Sequence, residues 1–207
     1  MSTENLAPQV ILRIAKDLKK LATSPPEGIS YLPAASSSLA EIHAEIEGPT
    51  GTPYEGLFFQ LKLVLGGDFP ASPPRGFFLT KIYHPNVRPE TGDICVNTLK
   101  KDWTSATTIS HVLSVIRCLL IVPFPESSLN DEAGKLFMDS YEEYHRRAKL
   151  MGGVHGKRES AVVKEGKSLG GEAEDENVEN GSGLVKEGLV KKVRKEKEKK
   201  KKSLKRL

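Results

Sequence analysis

Cys95 lies within Tyr83–Trp103, YHPNVRPETGDICVNTLKKDW, and is one of two cysteines in a chain of 207 residues. A thiolate is both a strong nucleophile and a good leaving group, so a cysteine can accept an activated carboxyl terminus and surrender it to an amine. Aminolysis of such a thioester passes through a tetrahedral oxyanion, for which a neutral amide donor such as Asn86 is chemically suited. Pro85 stiffens the backbone after His84, and Thr91-Gly92-Asp93 permits a tight reversal before Cys95. The competing reading is a small buried apolar thiol between Ile94 and Val96. His84 invites a third reading, a Cys/His hydrolase; the restraint of Pro85 and the want of a third orienting group weigh against it. Trp103 reads as a packing residue.

The elements that must position this stretch are legible from periodicity. Pro8 to Ala22 predicts a helix with Ile11, Ile14, Ala15, Leu18 and Ala22 on one face and Arg13, Lys16, Lys19 and Lys20 more exposed. Ser24-Pro25-Pro26-Glu27-Gly28 breaks it. Ile42, Ala44 and Ile46 then alternate with Glu41, His43, Glu45 and Glu47, which predicts a strand with one buried and one wet face. After the reversal at Gly48–Pro53, Leu57, Phe59, Leu61, Leu63 and Leu65 continue with period two, and Gly76 to Ile82 delivers the chain into the His84 loop. Thr107 or Thr108 caps a helix with Ile109, Val112, Leu113, Ile116, Leu119 and Leu120 on its apolar face, ended by Pro123 and Pro125. Asn130 caps a last helical region, broken near Asp139. The expected fold is α+β: a four-stranded antiparallel meander sheet, an N-terminal helix and C-terminal helices.

The ordered series GPTGTPYEG, FPASPP, KIYHPN, GDICVN and DW, with PFPES downstream, resembles the ubiquitin-conjugating enzymes over about residues 5 to 150. The chain is most similar to the S-type, chain-elongating branch, because a basic tail ending Leu204-Lys205-Arg206-Leu207 follows the core. The resemblance implies that Cys95 carries ubiquitin as a glycyl thioester. It gives Asn86 the oxyanion role or that of bracing the loop, makes Ser127 the gate beside the incoming lysine, and places Asn97 in the acceptor-lysine environment. A structural role for His84 is also implied. It further implies that Arg13, Lys16 and Lys20 dock the activating enzyme. Ser114 and Cys118, four apart and so on one helix face, would hold donor ubiquitin, with a core position for Cys118 left open. Leu204, Lys205, Arg206 and Leu207 would dock the anaphase-promoting complex or another multisubunit ligase, and chains would be lysine-eleven-linked. No cofactor is implied, since ATP is consumed by the activating enzyme. Lys100, five residues after Cys95, is either solvated or a site of self-modification.

Four departures from the family pattern stand out. The interval from Asn86 to Cys95 is one residue longer than usual, around Arg88-Pro89-Glu90, and Phe124 stands where asparagine is frequent. Ala71 and Ser105 replace the phenylalanine and proline that ordinarily grip a RING ligase, so that grip should be weak and the tail should supply docking.

Composition sets the remaining bounds. With 38% hydrophobic residues, the length suits one domain and an extension: a catalytic core at 1–151, a flexible Gly/Ser/acidic linker at 152–185 and a basic tail at 186–207. The tail holds 12 basic and 3 acidic residues, leaving 19 basic against 24 acidic in residues 1–185, so the net charge of +4 hides two opposite parts. That acidic balance argues against a nucleic-acid binder, one of two rival readings; the other is a catalytically silent ubiquitin-binding scaffold. No apolar run is long enough for a membrane span and no secretory signal is present, which predicts reduced thiols and a place in nucleus and cytoplasm. No spacing of Cys and His suggests a metal site.

Overall fold

The computed structural model describes residues 7–33, 39–95, 99–100 and 103–162. Helix α1 (Pro8–Thr23) begins with a proline in its first turn, where a missing N–H costs nothing. It buries Ile14 and Leu21 and packs Val10, Ile11 and Leu18 partly against the core. Ala15 and Ala22, predicted on this face, are exposed. Each sits one residue, about 100° of rotation, past the line through 14, 18 and 21.

Four strands follow, β1 (Ile29–Leu32), β2 (Glu41–Glu47), β3 (Phe58–Val64) and β4 (Arg75–Phe78), antiparallel in the order β1-β2-β3-β4. The inner face is Ile42, Ala44, Ile46, Phe59, Leu61, Leu63 and Phe78, all buried. Strand β4 stops at Phe78, short of the Ile82 that the apolar pattern suggests. The reason is local: the Gln60 carbonyl takes the N–H groups of both Leu79 and Thr80, at 2.8 and 3.1 Å, and the ladder cannot continue in register.

Helix α2 (Ile109–Ile121) is capped by Thr108, whose hydroxyl oxygen accepts from the His111 N–H at 3.2 Å. All six residues of its predicted apolar face are buried. A single 3-10 turn (Pro125–Ser127) leads to α3 (Asp131–Asp139), whose cap is the Asn130 side chain accepting from Ala133 N–H at 3.1 Å, and then to α4 (Tyr141–His155). Arg147 of α4 ion-pairs with Glu132 of α3 across the α3–α4 junction and with Glu143 one turn back in its own helix.

Two expectations change. Glu45, predicted on the wet face of β2, is 1% exposed, because residues 160–161 lie over it and hydrogen-bond its carboxylate. Residues 152–162, assigned by composition to the flexible linker, hold the last turn of α4 and a largely exposed segment that is tied to the sheet through Lys157, Ser160 and Ala161. Helix α4 runs through Gly152 and Gly153 to His155, and a Cβ on Gly152 would stand 2.9 Å from Leu57 Cδ1. That glycine permits close approach of helix to sheet and does not mark a linker.

Candidate active site

His84-Pro85-Asn86 is a hub of buried hydrogen bonds. The His84 ring is fully buried; its Nε2–H donates to the Leu119 carbonyl in α2 at 2.9 Å, and Nδ1 accepts from the Asn86 N–H at 3.0 Å. The Pro85 carbonyl accepts from the N–H groups of Leu129 and Asn130, at 2.8 and 3.0 Å. Asn86, also fully buried, uses its whole amide on the loop before α3: Nδ2 donates to the carbonyls of Phe124 (2.6 Å) and Ser127 (3.0 Å), and Oδ1 accepts from the Phe124 N–H (2.8 Å). Both Nδ2 hydrogens are thus engaged on main-chain carbonyls, the geometry of a loop brace.

Cys95 reaches this hub on a segment docked to the edge of β4. Phe78 N–H donates to Gly92 O and Ile94 N–H to Gly76 O, both at 2.9 Å. A Cβ on Gly92 would sit 2.1 Å from the Phe78 carbonyl oxygen, and its φ is +75°, so glycine is required there on two counts. The turn whose extra length is visible in the sequence closes on itself: Arg88 N–H bonds Asp93 O at 3.0 Å, Gly92 N–H bonds Arg88 O at 2.9 Å, and Asp93 accepts from Thr91 Oγ1 and pairs with Arg75. Cys95 then donates its N–H to the Asn86 carbonyl at 3.0 Å, and the residue as a whole is 6% exposed. Thiol, brace and the 124–127 loop meet here.

Burial holds His84 neutral, with its pKa depressed from 6.5 to about 4 by loss of hydration, against a smaller opposing effect of the Leu119 carbonyl. With one nitrogen donating and the other accepting, the ring has no lone pair to offer Cys95, which removes the Cys/His hydrolase reading. The unfolded chain takes up a proton on this imidazole near 6.5 and the folded protein does not until about pH 4. The stabilisation is therefore present above 6.5 and lost as pH falls toward 4, amounting to about 3 kcal/mol in full. Urea unfolding of the wild type should weaken steadily over that interval. His84→Gln should be less stable at neutral pH but have a flatter profile, and equal slopes for the two proteins would assign the effect elsewhere.

The other predicted residues are placed as follows. Ser127 is half-buried in the 3-10 turn, its carbonyl held by Asn86. Lys16 and Lys20 are exposed on α1. Arg13 is not simply exposed: its guanidinium donates to the carbonyls of Ser105 and Thr107 and lies 5.9 Å over the Phe69 ring, tethering α1 to the loop after Trp103. Trp103 packs against Phe69 at 5.9 Å and donates Nε1–H to Pro70 O at 3.1 Å. Ala71 and Ser105 are exposed, as is Lys100. Ser114 and Cys118 share a face of α2, Ser114 half-buried with its hydroxyl on Ser110 O, Cys118 exposed. Asn97, Leu204, Lys205, Arg206 and Leu207 lie outside the described residues.

Sequence reasoning missed the Tyr54–Tyr144 pair. Tyr54, inside GPTGTPYEG, is wholly buried; its hydroxyl donates to the Tyr83 carbonyl at 2.7 Å and so can only accept from Tyr144, 2.8 Å away. Burial pushes both phenols well above their usual pKa. This pair fixes the residue before His84 to α4. The available signal was a tyrosine inside a Gly/Pro turn, where a polar residue would be the norm.

Comparison with known proteins agrees with this architecture. A family model described as ubiquitin-conjugating enzyme matches residues 13–151. Ubiquitin-conjugating enzyme E2 22 of Arabidopsis thaliana is 56% identical over 156 residues, covering 75% of this chain and 61% of that protein. Ubiquitin-conjugating enzyme E2 S of Nematostella vectensis is 54% identical over 156 residues, covering 75% of this chain and 76% of its own length. Among solved structures, a chain from Plasmodium yoelii described as a ubiquitin conjugating enzyme superimposes with a TM-score of 0.67 at 32% identity, over 73% of this chain and 97% of that one. A docked cysteine, an asparagine brace and a matching family model over most of the chain make this protein a member of the ubiquitin-conjugating enzyme family, a transferase similar to its E2 S and E2 22 members.

Proposed function

We propose that Cys95 accepts ubiquitin from an activating enzyme and passes it to a lysine, elongating lysine-eleven-linked chains with the anaphase-promoting complex or another multisubunit ligase, in nucleus and cytoplasm. The observation that supports this best is the placement of Cys95 beside a loop clamped at three points by Asn86. In the first step the Cys95 thiolate attacks the glycyl carbonyl carbon and the activating enzyme's thiolate departs. In the second, the neutral acceptor amine attacks, an oxyanion forms, the nitrogen gives up its extra proton to water, and collapse expels the Cys95 thiolate and leaves an amide bond. No imidazole serves as base, His84 being used up structurally; Ser127, and Asn97 by its place in the sequence, are the polar groups assigned to orient the lysine. The exposed Lys16 and Lys20 suit docking of the activating enzyme, whereas Arg13 supports that surface by holding the 105–107 loop. The exposed outer side of α2 around Ser114 and Cys118 suits donor ubiquitin.

Ligase docking falls to the tail, where Leu204 and Leu207 supply apolar anchors and Lys205 and Arg206 meet carboxylates. Two assays test the two halves of the proposal. Incubation with activating enzyme, ATP and ubiquitin should give an adduct that disappears under reducing agent; no adduct, with an activating enzyme that charges a control conjugating enzyme, favours a ubiquitin-binding scaffold. Removing Leu204–Leu207 alone should leave charging intact and abolish chain growth on a ligase-bound substrate. Undiminished growth would remove the tail from the ligase interface.

A further inference from the structure

Glu45 is a buried carboxylate on the outer face of the sheet, and its cross-strand neighbours, Ser30 and Gln60, carry no charge. Its hydrogen bonds come from the chain leaving α4. Ser160 Oγ donates to it at 2.5 Å, and the Ala161 N–H is shared between its two oxygens at 3.0 and 3.2 Å. Just before, Lys157 exchanges both main-chain hydrogen bonds with Phe58, at 2.7 and 3.1 Å. Pairing of β3 with β4 reaches only from Val64 to Leu61, so Lys157 supplies the partner that β4 is too short to give. Residues 157–161 therefore form a latch over β3 and β2, closed by one serine hydroxyl and two main-chain contacts.

We propose that Ser160 is a phosphorylation site and that its modification opens this latch. A carboxylate only accepts hydrogen bonds, and the contact exists because Ser160 has a hydrogen to give. Phosphorylation removes that hydrogen and sets a charge of about −2 against the buried Glu45 carboxylate, which turns the closing contact into like-charge repulsion. The acceptor lies in Lys157-Arg158-Glu159-Ser160, with both basic side chains exposed two and three residues before the serine. That arrangement suits a serine kinase whose acidic cleft selects basic residues on the amino-terminal side. In the transfer, Ser160 Oγ bonds to the γ-phosphorus of ATP as the bond to the bridging oxygen breaks; ADP leaves, and the hydroxyl proton passes to the kinase's carboxylate base. Because Oγ faces Glu45 when closed, the kinase meets the locally opened form and the phosphate holds it open. Opening frees five residues, up to about 17 Å of contour, and uncovers the outer sheet face at Glu45 and Phe58.

Full-length protein incubated with ATP and a basic-directed serine kinase such as protein kinase A, followed by peptide mapping, should place a phosphoryl group on Ser160. Mapping is needed because Ser203 also follows a lysine run. Modification of Ser203 alone, in both wild type and the latch-free Glu45→Ala, would overturn the proposal. Hydrogen exchange reads the latch itself: Ser160→Asp should speed exchange at the Phe58 and Ala161 amides by about tenfold or more, the loss of one charged hydrogen bond, while Leu61 stays protected. Adding Glu45→Gln to Ser160→Asp should restore slow exchange, since an amide can donate to the new carboxylate. Fast exchange in that double variant, or slow exchange in Ser160→Asp, would show that charge at residue 160 does not govern this segment.

Discussion

Cys95→Ala should form no ubiquitin adduct, and Cys95→Ser should form one that survives reducing agent and does not discharge to lysine. The second cysteine makes this a sharp test. Cys118 is exposed on α2 while Cys95 is 6% exposed, so accessibility alone would choose Cys118 as the nucleophile. Local architecture chooses the other. Cys95 ends a segment fixed to β4 by two hydrogen bonds and to Asn86 by a third, whereas Cys118 sits on an outer helix surface with no comparable surround. Exposure is not reactivity; positioning and the groups that meet the reacting atoms decide it. Serine in place of Cys95 can take the acyl group but then leaves as an alkoxide, so aminolysis stalls at a stable ester. Cys118→Ser should charge like wild type. Retention of a reducible adduct by Cys95→Ala would transfer the carrier role to Cys118 and dissolve the present assignment.

Asn86→Asp should be the most damaging isosteric change in the molecule. The substitution replaces the amide that donates to Phe124 O and Ser127 O with an oxygen facing both carbonyls in a fully buried site. An unpaired buried charge costs about 3–5 kcal/mol, a large part of a typical domain's stability. Melting should fall by on the order of 10 °C, with early hydrogen exchange over residues 124–130. Asn86→Ala should lose about 2–3 kcal/mol, since it strands main-chain groups without adding charge. Slow discharge to lysine is expected for both, so rate alone separates nothing. The decisive pairing is rate with stability: a variant that discharges slowly yet melts and exchanges like wild type would mean that Asn86 acts on the oxyanion and not through the loop.

Most of the fold was legible because its periods are clean. The apolar face of α2 is legible residue for residue, as is the cap Asn130, while the α2 cap narrows to Thr107 or Thr108, of which the structure uses Thr108; helical spacing and cap chemistry are local properties. The errors fall where a partner distant in sequence decides. Glu45 alternates like a wet-face residue, and only residues 160–161, more than a hundred positions away, make it buried. Gly152 and Gly153 look like the start of a linker, yet Leu57, just before β3, dictates the first of them. Arg13 shows the same limit: charge and helix position suggest a docking residue, but its carbonyl partners at 105 and 107 belong to a loop that periodicity cannot bring to α1. The site was found through Cys95 and Asn86 as residue types, while their geometry depended on which carbonyls Asn86 meets at 124 and 127.

The strip Gly92–Ile94 has a significance beyond carrying Cys95. Strand β4 ends the meander, and an end strand with free N–H and C=O groups is a template for pairing with other chains. Here the Phe78 N–H and Gly76 carbonyl are already taken, so the strip that delivers the nucleophile also shields the sheet from self-association. A lesion that loosens it, at Gly92 above all, should lower solubility together with turnover. Selection for a soluble protein and selection for a working site thus press on the same three residues.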